Sequence, residues 1–249
     1  MTSVSGGRFA GLANYEAVLA SGSFQKAAYN TFYFSSISVP LMLVLSLVLA
    51  LLLHRQIYLR KWLRLMYVLP LVVPVASIIM IWQVVFDWNG LLNRVMNWFG
   101  VNRMDWMKSE AARYVVIMLY VWKNIGYNVI LFLAGLQQIP KDYYETAQIE
   151  GAGRLRQFFG ITLVYLTATT FFVVIMSIIN SFKVFRETYL LAGDYPHDSI
   201  YMLQHYMNNM FVALDLQKLT AAACLMFLGI MVIVFGLFGL ERRYRQFME

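Results

Sequence analysis

The stretch NTFYFSSISVPLMLVLSLVLALLL (residues 30–53) runs directly into the basic connector HRQIYLRKWLR (residues 54–64). A helix rises 1.5 Å per residue, so about 20 apolar residues cross the roughly 30 Å of hydrocarbon in a bilayer. Because lipid cannot hydrogen-bond to free backbone groups, an apolar segment that crosses alone has to be helical. The stretch therefore predicts a membrane-spanning helix that ends in a positively charged loop.

The same pattern recurs along the chain of 249 residues, of which 60% are hydrophobic and 13% are charged. Soluble domains contain about 25% charged residues, so this composition indicates a membrane protein. The predicted fold is all-α, a polytopic bundle of membrane helices, with proline kinks at Pro70 and Pro74 in the second span. The apolar blocks predict five spanning helices, at about residues 28–53, 65–86, 114–136, 161–182 and 219–240.

Basic residues predict the orientation of this bundle. Lys and Arg are denser in three segments than in the longer loops 87–112 and 183–218, and these segments are residues 54–64, 137–160 and 241–249. Cytoplasmic loops are enriched in Lys and Arg. We therefore expect the three basic segments to lie in the cytoplasm and the two longer loops to lie outside.

This orientation divides the chain into three parts. Residues 1–27 become an extracytoplasmic N-terminal segment, residues 28–240 a transmembrane domain, and residues 241–249 a cytoplasmic tail. A preceding span would be needed to carry such an N-terminal segment across the membrane. We therefore expect either that an upstream helix is missing from this sequence or that the protein naturally has five spans.

The sequence lacks the usual signatures of catalysis and metal binding. The net charge of +7 fits cytoplasmic loops better than a nucleic-acid partner. The single cysteine, Cys224, excludes an intrachain disulfide and a multi-cysteine metal site. The segment GAGRLR (151–156) lacks the lysine of a phosphate-binding loop. The histidines are scattered over the predicted loops, at His54, His197 and His205. We therefore predict no catalytic residue, no metal site and no cofactor on this chain.

Few ionisable groups fall inside the predicted spans. No Asp or Glu lies there, although a proton- or sodium-coupled carrier usually needs one. Lys123 is the single charge well inside a span, and it either faces a water-filled path or reaches outward past Trp122 and Tyr120. Uncharged polar residues of the third and fourth spans either join helices or hydrogen-bond a neutral polyhydroxylated ligand: Asn124, Tyr127, Asn128, Ser177, Asn180 and Ser181.

A polar connector, YYETAQIEGAGRLRQFFGIT (143–162), separates the third and fourth spans. Pro140 and Asp142 favour a helix start just before it, through the fixed proline φ and the helix dipole. Gly151 and Gly153 allow a turn that other residues resist. The connector therefore predicts a helix, a glycine turn and a second helix, which together form an ordered surface for a partner protein.

This connector resembles the EAA loop of the permeases of binding-protein-dependent ABC importers, whose form is E-A-A-x-x-D-G-A-x-x-x-x-x-F-x-x-I-x-L-P. The match runs in one register through Glu145, Thr146, Ala147, Glu150, Gly151, Ala152, Phe158, Ile161 and Leu163. Three positions depart from the pattern: Thr146 replaces the second alanine, Glu150 replaces the aspartate and Val164 replaces the final proline.

Other segments extend the resemblance over nearly the whole chain. FAGLANYEAVL (9–19), the stretch 30–53 and LFLAGLQQIPKDYYE (131–145) are similar to the carbohydrate branch of these permeases, the maltose and glycerol-phosphate type. AGDYP (192–196) stands where the family often has T-G-G-G-P, so details of that loop do not transfer.

The resemblance implies the type I ABC importer permease fold and a cytoplasmic coupling helix within 137–160. That helix would sit in a cleft of a partner ATPase, which binds ATP and Mg²⁺, and Glu145 would offer its carboxylate to a basic group there. The other implied partners are a second homologous permease, an extracytoplasmic solute-binding protein and membrane lipid. The implied cargo is a sugar or polyol, and the implied location is the bacterial cytoplasmic (inner) membrane. The candidate path residues are Tyr127, Asn128, Ser177, Asn180, Ser181 and Lys123.

Two alternatives belong to other classes of protein. A self-sufficient channel or secondary carrier for a small neutral solute would need a charged or re-entrant filter, and the sequence indicates none. A membrane-bound enzyme would need His, Asp or Glu clustered on one side of the membrane, and these residues are dispersed.

Overall fold

The computed structural model describes residues 11–54 and 60–246. Residues 1–10 of the predicted N-terminal segment, 55–59 of the basic connector and 247–249 of the predicted tail lie outside the described residues. Within the described ranges the chain is helical and has no strand, which confirms the predicted all-α class.

The α-helices of these ranges follow one another along the chain, with the longest connection between α5 and α6. They are α1 (Ala13–Leu19), α2 (Gly22–His54), α3 (Arg60–Val72), α4 (Val75–Phe86), α5 (Leu91–Trp98), α6 (Ala112–Gln137), α7 (Lys141–Ile149), α8 (Arg154–Gln157), α9 (Leu163–Tyr165), α10 (Thr167–Ser181), α11 (Phe185–Ala192), α12 (Leu203–Val212) and α13 (Leu216–Gln246). A π-helical turn (Phe158–Thr162) joins α8 to α9, and a 3₁₀ turn (Asp198–Ile200) precedes α12.

Five helical segments of the described chain are long and apolar enough to cross a membrane, which confirms the predicted number of spans. They are Gly22–His54, Val75–Trp98, Ala112–Gln137, Thr167–Ala192 and Leu216–Arg242. The span that contains α6 is the most buried of the five, and α2, α3 and α10 pack around it. The core of the bundle is therefore built around α6.

The second predicted span, 65–86, differs from the structure: it is interrupted rather than kinked, and the spanning segment is Val75–Trp98, with α3 preceding it. Pro70 lies inside α3, but the helix stops at Val72 and restarts at Val75 with Pro74 as the preceding cap residue. A residue before proline is pushed out of the helical region, and proline has no N–H for the ladder, so the break falls at residues 73–74. The apolar composition of 65–86 could not distinguish this break from a continuous kinked helix.

The fourth span also differs from the predicted helix at 161–182. The π-helical turn and α9 occupy its start, α10 begins only at Thr167, and after a break at residues 182–184 the helix resumes as α11. The predicted loop 183–218 therefore contains α11 and α12, and the predicted loop 87–112 contains α5. These segments are short and mixed in polarity, so hydropathy alone does not reveal them.

Helices α3 and α6 cross at van der Waals contact of their backbones. A Cβ atom added at Gly126 of α6 would lie 1.9 Å from the carbonyl oxygen of Tyr67 on α3. Small residues permit this close approach of membrane helices. The contact holds α3 beside the part of α6 that carries the polar side chains.

Candidate functional site

A cavity of about 210 Å³ lies between α6 and α10 and is closed by α2 and α3. Its walls carry aromatic, amide and hydroxyl groups together with apolar side chains. The described residues that line it are Met42, Leu71, Tyr120, Asn124, Tyr127, Asn128, Met176, Ser177 and Asn180. None of them is charged, so the cavity can hydrogen-bond a neutral polar molecule but offers no ionic partner.

Part of this polar lining is held by hydrogen bonds inside the protein. The Asn128 amide nitrogen donates to the Ser177 hydroxyl at 3.0 Å, and the Tyr120 hydroxyl donates to the Ser177 carbonyl at 3.0 Å. The Asn124 amide nitrogen donates to the Tyr120 carbonyl one turn earlier, at 2.8 Å. The two bonds to Ser177 tie α6 to α10, and the bond of Asn124 fixes its side chain along α6.

Two of the predicted path residues keep their side chains free toward the cavity. Neither the Tyr127 hydroxyl nor the Asn180 amide makes a hydrogen bond with any other described residue, while both side chains line the cavity. Tyr127 is 37% exposed. The structure thus brings four of the predicted residues together at one cavity: Tyr127, Asn128, Ser177 and Asn180.

Ser181 is placed away from this group. Its hydroxyl shares a 2.8 Å hydrogen bond with Ser35 of α2 and donates to the Ile178 carbonyl at 2.7 Å. It is fully buried and does not line the cavity. Ser181 therefore joins α10 to α2, the commoner role of a serine in a membrane helix.

Lys123 forms a buried ion pair with Glu187 of α11. Their side chains are only 12% and 9% exposed, so the ammonium does not reach outward past Trp122. Glu187 belongs to the apolar segment Thr167–Ala192, and the prediction that no acidic residue lies within the spans is therefore wrong. The prediction failed because the fourth span was ended at residue 182, before the helix resumes as α11.

The sequence reasoning also missed a polar stripe on α2. Thr31, Ser35, Ser38 and Ser46 are buried and lie three, four or eight residues apart, which puts them on one helix face toward the bundle. Asn30, next to this stripe, donates from its amide to the carbonyls of Asp198 and Tyr201. The helical spacing of these residues could have predicted a buried polar face on α2.

The connector after α6 forms a helix, a glycine turn and a second helix, as predicted. Helix α7 ends in a hydrogen-bonded turn in which the Gly151 N–H donates to the Gln148 carbonyl and the Ala152 N–H donates to the Ala147 carbonyl, at 3.0 and 2.8 Å. Gly151 has φ of +76°, which glycine adopts without steric cost. This turn sets the direction of the chain toward the fourth span.

Most of the motif residues lie on the surface of this connector. Glu145, Thr146, Glu150 and Gly151 are exposed, whereas Ala147, Ala152 and Phe158 are half-buried. Two large apolar side chains are also exposed there, Ile149 at 88% and Leu155 at 75%. Both side chains are thus largely free of contacts within the chain.

Side chains connect α7 to the beginning of the fourth span. The hydroxyls of Tyr144 and Thr162 share a hydrogen bond of 2.9 Å, and the rings of Tyr143 and Tyr165 lie 5.2 Å apart. Thr162 ends the π-helical turn, a form of helix that occurs frequently at functional sites. A displacement of α7 would therefore act directly on the segment that leads into α10.

Relatives of this chain are permeases of transport systems. The trehalose/maltose transport system permease protein MalF of Thermococcus litoralis is 32% identical over 190 residues, 76% of this chain and 64% of that protein. The sulfoquinovosyl glycerol transport system permease protein SmoG of Agrobacterium fabrum is 32% identical over 223 residues, 88% of this chain and 72% of that protein. The sn-glycerol-3-phosphate transport system permease protein UgpA of Yersinia enterocolitica is 29% identical over 239 residues, 95% and 80% of the two chains. The chain thus spans between 64% and 80% of the length of these relatives.

A solved structure shares the fold. The chain matches the crystal structure of a bacterial ABC transporter involved in the import of the acidic polysaccharide alginate with a TM-score of 0.84. The match has 22% sequence identity and covers 94% of this chain and 84% of the other. The likeness confirms the predicted permease fold.

A comparison of the sequence with models of protein families identifies the family of this chain. A model of the family described as binding-protein-dependent transport system inner membrane component matches residues 18–246. This match includes all five spans and the connector between the third and the fourth. The resemblance predicted from the connector is therefore confirmed, and the chain belongs to the family of inner membrane components of binding-protein-dependent transport systems.

Proposed function

We propose that this chain is a permease subunit of an ATP-driven importer and translocates a sugar or related polyol delivered by an extracytoplasmic binding protein. The main support for this proposal is the connector. Its EAA-like residues lie on an exposed helix and turn, and a hydrogen bond between Tyr144 and Thr162 joins that helix to the beginning of the fourth span. The name of one relative, the permease of a trehalose/maltose transport system, supports the substrate class.

ATP hydrolysis belongs to partner subunits in this proposal. Helix α7 docks in a cleft of an ATPase that binds ATP and Mg²⁺, with Glu145 facing a basic group and Ile149 facing an apolar one. The exposure of both side chains supports this contact. Closure of the ATPases moves α7, and the contact between Tyr144 and Thr162 transmits the movement toward α10.

The neutral polar cavity is the proposed contact of this subunit with the sugar. Amide and hydroxyl groups at Tyr127, Asn128, Ser177 and Asn180 match the hydrogen-bonding needs of a polyol, and the Tyr127 ring can stack on a sugar face. At about 210 Å³ the cavity is smaller than the roughly 300–1,000 Å³ of a typical ligand pocket. A second, homologous permease therefore forms the rest of the path.

The proposed assembly lies in the bacterial cytoplasmic membrane. The connector 137–160, the segment 54–64 and the C-terminal end face the cytoplasm and the ATPases. Residues 1–27 and the region of α12 face the binding protein. The distribution of Lys and Arg supports this orientation.

The variant Glu145→Ala tests the coupling role. We expect it to insert normally but to lose both co-purification of the ATPase and sugar uptake by the reconstituted importer. Asp142→Asn is the matched control, because Asp142 is also an exposed acid on α7 and should tolerate the change. Wild-type co-purification and uptake in Glu145→Ala would contradict the proposal.

A second measurement separates this proposal from a channel or secondary carrier. The chain alone, reconstituted in vesicles without ATP, should take up no radiolabelled sugar above the level of empty vesicles. Robust uptake under these conditions would show that the chain works without an ATPase.

A further inference from the structure

Lys123 brings a positive charge to the edge of a cavity that is otherwise neutral. It precedes Asn124 on α6 and lies one helical turn from both Tyr120 and Tyr127, three residues that line the cavity. Side chains three or four residues apart on a helix have Cβ atoms about 5–6 Å apart. A free ammonium at this position would therefore impose a positive potential on the polar wall.

Glu187 removes that potential. Its carboxylate pairs with the Lys123 ammonium, and the residue is only 7% exposed. The other basic residues near it in sequence, Lys183 and Arg186, are exposed. The pair thus places equal and opposite charges against one wall, with no described charged residue lining the cavity itself.

We infer that Glu187 is a specificity-determining residue, which neutralises Lys123 so that the path accepts uncharged substrates and does not attract anions. In a medium of low dielectric constant an unpaired charge acts strongly over several ångströms, while a close pair largely cancels at a distance. The substrate class in this inference rests on the proposed function. The electrical neutrality of the cavity does not, because it can be measured without transport.

Charged thiol reagents measure the potential of the cavity directly. The native cysteine is replaced in Cys224→Ser, and a reporter thiol is introduced at the cavity in Tyr127→Cys. Membrane vesicles that contain the whole importer are treated with the anionic sulfonatoethyl or the cationic trimethylammonioethyl methanethiosulfonate. After each exposure time the remaining free thiol is labelled with a maleimide that carries polyethylene glycol, and the unreacted fraction of this chain is read as a gel shift. Val212→Cys serves as the control reporter, since Val212 is 71% exposed and lies on α12, away from the cavity lining.

The ratio of anionic to cationic rates, normalised to the control reporter, gives the test. With the pair intact we expect a ratio within threefold of one. Glu187→Gln should raise the ratio at least tenfold, and Lys123→Gln should lower it at least tenfold. The double variant Lys123→Gln/Glu187→Gln should return it to within threefold of the intact pair. If Glu187→Gln fails to insert, Lys123→Gln provides the same test with the opposite sign.

In the thiol experiment, two results would overturn the inference. One is a change in the ratio of less than threefold in the single variants that insert. The other is the absence of reaction with either reagent at Tyr127→Cys, which would mean that no aqueous path reaches the cavity. Both results are independent of the experiment on Glu145, so failure of the selectivity role and failure of the importer role can be told apart.

Uptake of neutral sugar by the reconstituted importer provides a second readout. Glu187→Gln should reduce uptake at least tenfold, and the double variant should restore it to within threefold of wild type. Equal loss in the single and double variants would show that the ion pair is needed for structure rather than for selectivity.

Discussion

Replacing Gly126 by alanine tests how tightly α3 is held against α6. The added methyl carbon would lie 1.9 Å from the Tyr67 carbonyl oxygen and 2.7 Å from its carbonyl carbon, whereas ordinary contacts begin at 3.4 Å. The two backbones would have to separate by about 1.5 Å, the difference between 3.4 and 1.9 Å. Because the obstacle is backbone, no side-chain rotation can relieve it.

We expect Gly126→Ala to lower the free energy of unfolding by about 1–3 kcal/mol, the usual cost of overpacking a close-packed interior. A loss of 1–2 kcal/mol reduces the ratio of folded to unfolded protein about 5- to 30-fold. The shift would also displace α3, and with it Leu71 in the cavity wall. Sugar uptake should therefore fall along with stability.

Two other glycines provide graded controls. At Gly135 of α6 the new methyl would meet side-chain atoms, Thr169 Oγ1 at 2.7 Å and Leu166 Cδ2 at 2.8 Å, which can move aside, so we expect a smaller loss. At Gly229 of α13 no described atom lies within 4 Å, and alanine is the better helix former. Midpoints of denaturant-induced unfolding in mixed micelles should rank Gly126→Ala below Gly135→Ala, and Gly135→Ala below Gly229→Ala. Equal midpoints for Gly126→Ala and Gly229→Ala would refute the steric argument.

Two further predictions concern the connector and α12. Tyr144→Phe should reduce sugar uptake per ATP hydrolysed about 2- to 12-fold without releasing the ATPase, because it removes a hydrogen bond of about 0.5–1.5 kcal/mol. Thr162→Ser keeps the hydroxyl and should preserve the ratio of uptake to hydrolysis. An unchanged ratio in Tyr144→Phe would contradict transmission of movement through this hydrogen bond. Burial lowers the pKa of His205 to about 4. Between pH 6.5 and 4 the unfolded chain therefore binds a proton that the folded chain does not. As the pH falls through this window, the free energy of unfolding should decrease by up to about 3 kcal/mol, and above pH 6.5 this contribution should not change. Unfolding midpoints measured from pH 7.5 to 4 should show this slope in wild type and lose it in His205→Gln; an equal slope in both would assign the pH dependence to other groups.

Much of the fold could be predicted from the local composition of the sequence. Each span has to satisfy its own backbone in lipid, so apolar length alone predicted five helices, and Gly151 predicted the turn after α7 because only glycine adopts its backbone without cost. Pro74 marks the place of the break at residues 73–74, but the sequence does not show whether the helix stops there or only bends, and it does not indicate the break at residues 182–184. Whether a helix stops or continues at such a place depends on how neighbouring helices cover the freed backbone groups.

The candidate site could be predicted only in part. Which polar side chains line the cavity depends on how each helix is rotated and how the helices cross. Ser177 and Ser181 share a face by spacing, yet Ser177 meets Asn128 at the cavity while Ser181 meets Ser35 on α2. Local composition and backbone geometry were enough to predict the helices, the connector and the types of polar group. The pairing of Lys123 with Glu187, 64 residues away, could not be predicted in this way, because it depends on the packing of α6 against α11, which brings the two opposite charges together.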